Sequence, residues 1–172
     1  IMGVAGVSTG DVVLLHDADY SNASSADITS GIDSTYGEYI FKFYNINPAT
    51  DNTNFSVQFN VADASGFNET MTTTYFNAYH PEDDSTTALS YTAGSDQAQG
   101  TAYQSLADGL DNSADSAGAG ILHLFNPSST TYVTHFYSRI SIADPAANEI
   151  YVAGYVNATA AVDEVSFKMS SG

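Results

Sequence analysis

The stretch Glu38–Asn60, EYIFKFYNINPATDNTNFSVQFN, carries the reading on which the fold depends. In its first half, Glu38–Ile46, the residues Tyr39, Phe41 and Phe43 fall on one side of an extended chain and Ile40, Lys42 and Tyr44 on the other. Asn47-Pro48-Ala49-Thr50-Asp51-Asn52 then punctuates it. Proline cannot donate to a ladder, and Asn and Asp side chains close turns on their own backbone. In the second half, Phe55–Val61, a period of two is clean: Phe55, Val57, Phe59 and Val61 against Ser56, Gln58 and Asn60. Alternation of this kind predicts a strand in a sheet with one packed and one wet face.

The same signals recur on both sides. Upstream, Asp11–His16 (DVVLLH) reads as a buried strand and Asp17–Thr35 as a long polar connection with a short strand at Asp27–Thr29. Residues Ile1–Gly10, apolar and Gly-rich, read as an N-terminal arm leading into a domain that runs from residue 11 to 172. Downstream, strands are expected at Thr70–Tyr79, broken by His80–Asp84, and at Thr87–Thr92, Ile121–Phe125, Thr131–Ile142, Glu149–Val156 and Val162–Met169. Asp111–Gly120 reads as a loop, and Asn126-Pro127 and Asp144-Pro145 as strand ends. Ala98, Ala102, Leu106 and Leu110 recur every four residues, which predicts one short helix within Gln97–Leu110, weakened by Gly100 and Gly109. About eight strands with no internal repeat point to an all-β, jelly-roll-like sandwich with at most one short helix.

Composition agrees. A chain of 172 residues can enclose one core. Of 20 acidic residues 15 are Asp, the turn former, and Tyr (12) and Phe (9) supply the aromatic bulk without any Trp. The charge of −17, with only Lys42, Arg139 and Lys168 as cations, argues against wrapping nucleic acid, whose phosphates must be neutralised. It also disfavours anionic membranes, and no apolar run reaches the ~18 residues of a membrane span. A signal peptide with a basic start and apolar centre is not seen. Absence of Cys excludes disulfides and thiol chemistry.

The sequence offers few chemical constellations. His16, His80, His123 and His135 lack H-x-H or H-E-x-x-H spacing, although His123 and His135 fall in strands expected to be neighbours. No G-x-S-x-G, phosphate loop or dinucleotide fingerprint occurs, so no enzyme is expected. The acidity reads first as a solubility device that salt screens. Its second reading is Ca²⁺ held by Asp108, Asp111, Asn112 and Asp115, or by Glu82, Asp83 and Asp84, though neither set has the regular spacing of a calcium loop. Exposed Tyr beside Asn and Asp suits sugar rings, and Tyr79, Tyr91 and Tyr103 are the glycan candidates, with Tyr75, Tyr132 and Tyr137 behind them. The plainer reading places at least half of the twelve Tyr in the core or between subunits.

Four segments together, Glu38–Asn60, Thr72–Thr86 (TTTYFNAYHPEDDST), Leu122–Phe136 (LHLFNPSSTTYVTHF) and Val162–Gly172 (VDEVSFKMSSG), resemble a family of virion structural proteins from marine tailed bacteriophages, cyanophages included. The likeness covers about four-fifths of the chain, from Gly31 onward. It implies a non-enzymatic protein of the virion surface: capsid decoration, head fibre or tail appendage. Its implied partners are other capsid or tail proteins and copies of itself, commonly as a trimer, with a host surface glycan as partner if it is a receptor-binding fibre tip or carbohydrate-binding module. The resemblance also implies one more strand beyond Met169-Ser170-Ser171-Gly172, and it carries no active site.

Overall fold

The computed structural model describes residues 12–143 and 145–171; the Ile1–Gly10 arm and Asp144 lie outside them. Among the described residues eleven strands form two antiparallel sheets that pack face to face. They are β1 (Ala26–Ile28), β2 (Glu38–Ile46), β3 (Thr53–Val61), β4 (Met71–Pro81), β5 (Ala88–Tyr91), β6 (Ala98–Gly100), β7 (Gln104–Leu110), β8 (Gly118–Phe125), β9 (Thr134–Ala143), β10 (Ala146–Val156) and β11 (Val162–Met169). The small sheet has the order β1-β11-β3-β7, and the large one β2-β8-β9-β10-β4-β5, with β6 sharing the outer edge of β4 with β5. The result is an all-β sandwich whose strand order is compatible with a jelly-roll winding.

The turn at Asn47–Asn52 does not fold β2 back on β3; it carries the chain from the large sheet to the small one. There the inward sides of the two strands meet again. Phe43 packs on Phe55 at 5.1 Å between ring centroids and on Phe167 at 5.0 Å, and Phe41 reaches Phe167 at 5.4 Å. Deeper in, Phe59 meets Phe136 of β9 at 5.1 Å. Val57, Leu106, Leu122, Leu124, Ile140 and Ile150 fill the rest and are fully buried. Removing such apolar area from water is the main stabilising contribution, about 25 cal/mol per Å².

Four expectations need correction. The helix is absent: Gln97–Leu110 forms β6 and β7. In β7 the register against β3 shifts twice, and Gly109 takes a φ of +72°. The resulting irregularity buries Leu106, Ala107 and Leu110 together, so a strand with extra residues mimics a helical spacing of four. Val12–His16 is neither a strand nor buried; Val12 is 72% and Leu14 77% exposed. His80 and Pro81 do not break β4, which runs through Pro81 against the first residues of β10; the turn comes only at Glu82–Asp84.

The fourth correction concerns the wet face of β3. Ser56, Gln58 and Asn60 are all buried. Connecting loops cover them: the Gln58 amide donates to the carbonyls of Glu69, Thr101 and Ala102 at 3.0–3.1 Å. Tyr103 donates to Ser166 Oγ at 3.0 Å, and Ser166 in turn donates to Asp27. A loop-covered polar face needs every group paired, because an unpaired buried polar atom costs about 1–3 kcal/mol.

The rule has exceptions: on this face Asn60 Oδ1 has no partner, and Asp163 is the ionisable case. It lies at the register shift between Val162 and Glu164 in β11, half-buried, with one carboxylate oxygen lacking any partner. Burial raises its pKa first, and the charges of Glu164 and Asp63 add to it. The folded state therefore holds this proton more tightly than the unfolded chain, whose carboxyl titrates near 3.8. The group's favourable contribution is complete below that pH and is lost as pH rises through the folded-state value. Asp163→Asn is expected to melt higher than the wild type at pH 7, with the gap closing as pH falls below about 4. Calorimetric scans across that range check it, and a gap independent of pH would contradict the assignment.

Candidate functional site

The outward side of the large sheet differs from the rest of the surface. Registers across β2, β8, β9, β10, β4 and β5 define three rows of outward residues. The first row is Glu38, Phe125, His135, Tyr155, Thr72. The second is Ile40, His123, Tyr137, Ala153, Thr74. The third is Lys42, Ile121, Arg139, Tyr151, Phe76, Tyr91. Six aromatic residues and two histidines thus share one flat face. It carries Lys42 and Arg139, two of the three cations in a chain of −17, against two carboxylates, Glu38 and Glu149. The charge of the molecule lies elsewhere, mostly on its Asp-rich loops.

Local pairing holds this face rigid. Arg139 on β9 bonds Glu149 on β10 and lies 5.6 Å from the Tyr151 ring centroid. The hydrogen bond from Arg139 holds the Glu149 carboxyl below its ordinary pKa, against the opposing effect of burial. His123 Nδ1 is 2.6 Å from Glu38 Oε1. Phe76 stacks on Tyr151 at 4.9 Å with 6° between planes, and His123 on Tyr137 at 4.7 Å with 23°. Each pair comes from neighbouring strands in direct register. Their separation matches the ~4.8 Å between strands, so the rings stand upright on the sheet. One flat face of each ring is used against its partner. A sugar ring stacks on an exposed aromatic face, and the pairing takes up one of the two faces of each of these rings.

One dip interrupts the platform. Ala153 and Thr74, the small members of the second row, leave a hollow of about 420 Å³ ringed by Phe125, His135, Tyr137 and Tyr155. Gly154, beneath it, lies so close to β4 that a β-carbon would come within 2.6 Å of the Thr72 carbonyl oxygen. A second, larger groove of about 860 Å³ lies at one end of the sheet, lined by small residues such as Ala117, Gly118, Ala143 and Ala146, with His80 and Asp84 paired at its rim.

The glycan candidates are dispersed. Tyr103 is half-buried, and Lys168 Nζ covers its ring at 3.9 Å. Tyr79 lies half-buried near the end of β4, opposite Asn148. Tyr91, 57% exposed, bonds Asp96, whose hydrogen bond raises the phenol pKa. Tyr75 is buried and accepts from the Asp108 amide at 3.2 Å, while burial raises its pKa. Tyr132 is exposed in the β8–β9 loop, and Tyr137 belongs to the platform.

The calcium candidates do not form one cage either. Asp108 receives the hydroxyls of Ser95 and Ser105, one on each oxygen. Asp111 is capped by Ser113 and Ser116, and hydrogen bonding from Ser113 lowers its pKa. Asn112 reaches the Ala49 carbonyl at 3.4 Å, and Asp115 is exposed. Glu82, Asp83 and Asp84 lie in the turn after β4, where Asp83 is capped by Ser85 and Asp84 pairs with His80. His16 pairs with Tyr20 at 3.0 Å, while His123 and His135 are adjacent on the platform but two residues apart in register. Among the described residues no three His, Asp or Glu side chains converge as a metal site. The platform itself escaped the sequence reading. Its signal was present in the outward positions of each strand, but grouping them required the strand order.

Comparison with protein-family models, with curated protein sequences and with solved structures returned no match.

Proposed function

We propose that this protein is a non-enzymatic structural component of a tailed-phage virion, displayed on the particle exterior and acting through protein–protein interfaces. The observation that supports this reading best is the outer face of the large sheet. It is aromatic and charge-balanced in a chain of −17, with most of the acid on loops that suit salty surroundings. Aromatic residues and Arg are the side chains enriched where proteins dock, and the hollow at Ala153 offers a recess for a partner's side chain. Ring pairing leaves a saccharide fewer free faces to stack on, which supports keeping the glycan-binding alternative second.

Immunogold labelling of virions carrying the gene is expected to decorate the capsid or tail exterior. Phe76→Ser/Tyr151→Ser leaves the buried core intact and is expected to weaken association with the particle about 100-fold, from roughly 1.5 kcal/mol per truncated aromatic. A pull-down against purified particles reads this directly. A glycan array showing strong, selective sugar binding, or particles that carry no label, would reject the reading.

A further inference from the structure

The segment Val12–Leu15 is the anomaly of the molecule. Four consecutive large apolar residues are exposed, at 72%, 49%, 77% and 51%. Among the described residues they take part in no sheet and no side-chain hydrogen bond. Valine pairs favour extended chain, and successive side chains of a strand point to opposite sides. A strand of Val-Val-Leu-Leu is therefore apolar on both faces, which fits a strand covered on both sides.

The same chain presents a place for such a strand. β2, nine residues long, has β8 on one side and, among the described residues, no strand on the other. Its free edge exposes unpaired backbone groups, the ordinary template for strand addition. In the small sheet β1 lies beyond β11, and β11 packs on β2 through Phe41 and Phe43. β1 thus overhangs the free side of β2, with Ala26 and Ile28 half-buried. A strand added beside β2 meets that overhang on its inner side and extends the apolar line of Ile40 and Tyr44 on its outer side.

We infer that Val12–Leu15 is an exchanged arm: it adds as a strand to the free edge of β2 in a second copy of this chain. The occupant is argued from charge and from completeness. Two bodies of −17 repel through their loops, whereas residues 12–15 carry no charge, and every copy holds both the donor segment and the acceptor edge. Donor and acceptor are different surfaces, so the exchange closes either as a reciprocal pair or as a head-to-tail ring. This stands on the arm and the edge, independently of the outer platform: such a pair or ring can form in a protein that binds no particle.

The test is sedimentation velocity at seawater ionic strength combined with crosslinking, which the Cys-free sequence makes unambiguous. The wild type is expected to sediment as a small closed oligomer. Val13→Asp/Leu15→Asp, which alters exposed positions only, is expected to sediment as a single copy with an unchanged circular dichroism spectrum. Leu14→Cys/Lys42→Cys is expected to give a reducible ladder of linked copies under mild oxidant, and Leu14→Cys/Leu89→Cys, on the opposite edge, none. A wild type that stays monomeric at all concentrations, an oligomer indifferent to the aspartates, a link formed within one chain, or equal linking at Leu89 would each overturn the inference.

Discussion

Phe59→Ala is expected to cost about 3–5 kcal/mol, the range for deleting a fully enclosed aromatic side chain. Phe59 has no exposed surface, and it joins the two sheets through Phe136. Its neighbours on the inward side of β3, Val57 and Val61, are also buried and held by paired strands, so little can collapse into the space. Against a total stability of about 5–15 kcal/mol, the loss is a large fraction. The melting temperature should fall by roughly 2–4 °C for each kcal/mol in a domain of this size. Phe59→Leu, which keeps most of the volume, should cost under about 1.5 kcal/mol. Urea titrations followed by tyrosine fluorescence give both numbers, since no Trp obscures the signal. Equal costs for the two variants would mean that the sheets are not joined at this point.

Gly120→Ala is expected to be as damaging, for a different reason. A β-carbon at Gly120 would run into the Arg139 carbonyl oxygen and lie 2.7 Å from the Ile140 Cα. Both belong to the backbone of β9, in register with β8, so no rotamer relieves the contact. The two strands must separate, which disturbs the middle of the large sheet and the platform above it. A loss of about 3 kcal/mol or more is the expected result, at the upper end of overpacking costs. Gly66→Ala, with open space around its β-carbon but a φ of +84°, provides a comparison for backbone strain alone. The same urea titration checks it, and a Gly120→Ala midpoint within experimental error of the wild type would refute the close approach.

Sequence periodicity reached far into this fold where one residue in two is apolar. Glu38–Ile46 has the expected bounds, and its inward residues Tyr39, Phe41 and Phe43 are the ones that meet the other sheet. It failed where the local rule and the tertiary context part. Gln58 and Asn60 look solvated because they alternate with Phe59, yet loops distant in sequence supply their cover. Leu106 and Leu110 look helical because a bulge shifts the parity of β7. Val12–Leu15 look buried because they are apolar, yet the structure leaves them exposed. Residue type alone nominates the calcium and glycan candidates. Their separation in space, with Asp108 tied to serines and Tyr103 capped by Lys168, depends on pairings between residues many positions apart.

The place of β11 has a consequence for biosynthesis. This strand lies between β1 and β3, and it is the last of the eleven to leave the ribosome. Until it emerges, β1 has no neighbour and β3 has one bare side, so the small sheet exists only as separated pieces. Closure waits for all ten preceding strands, and such non-local pairing is slow. Prematurely terminated copies lacking β11 would be unable to complete a sandwich and would be left to the cell's proteases, which restricts assembly to chains translated through to that strand.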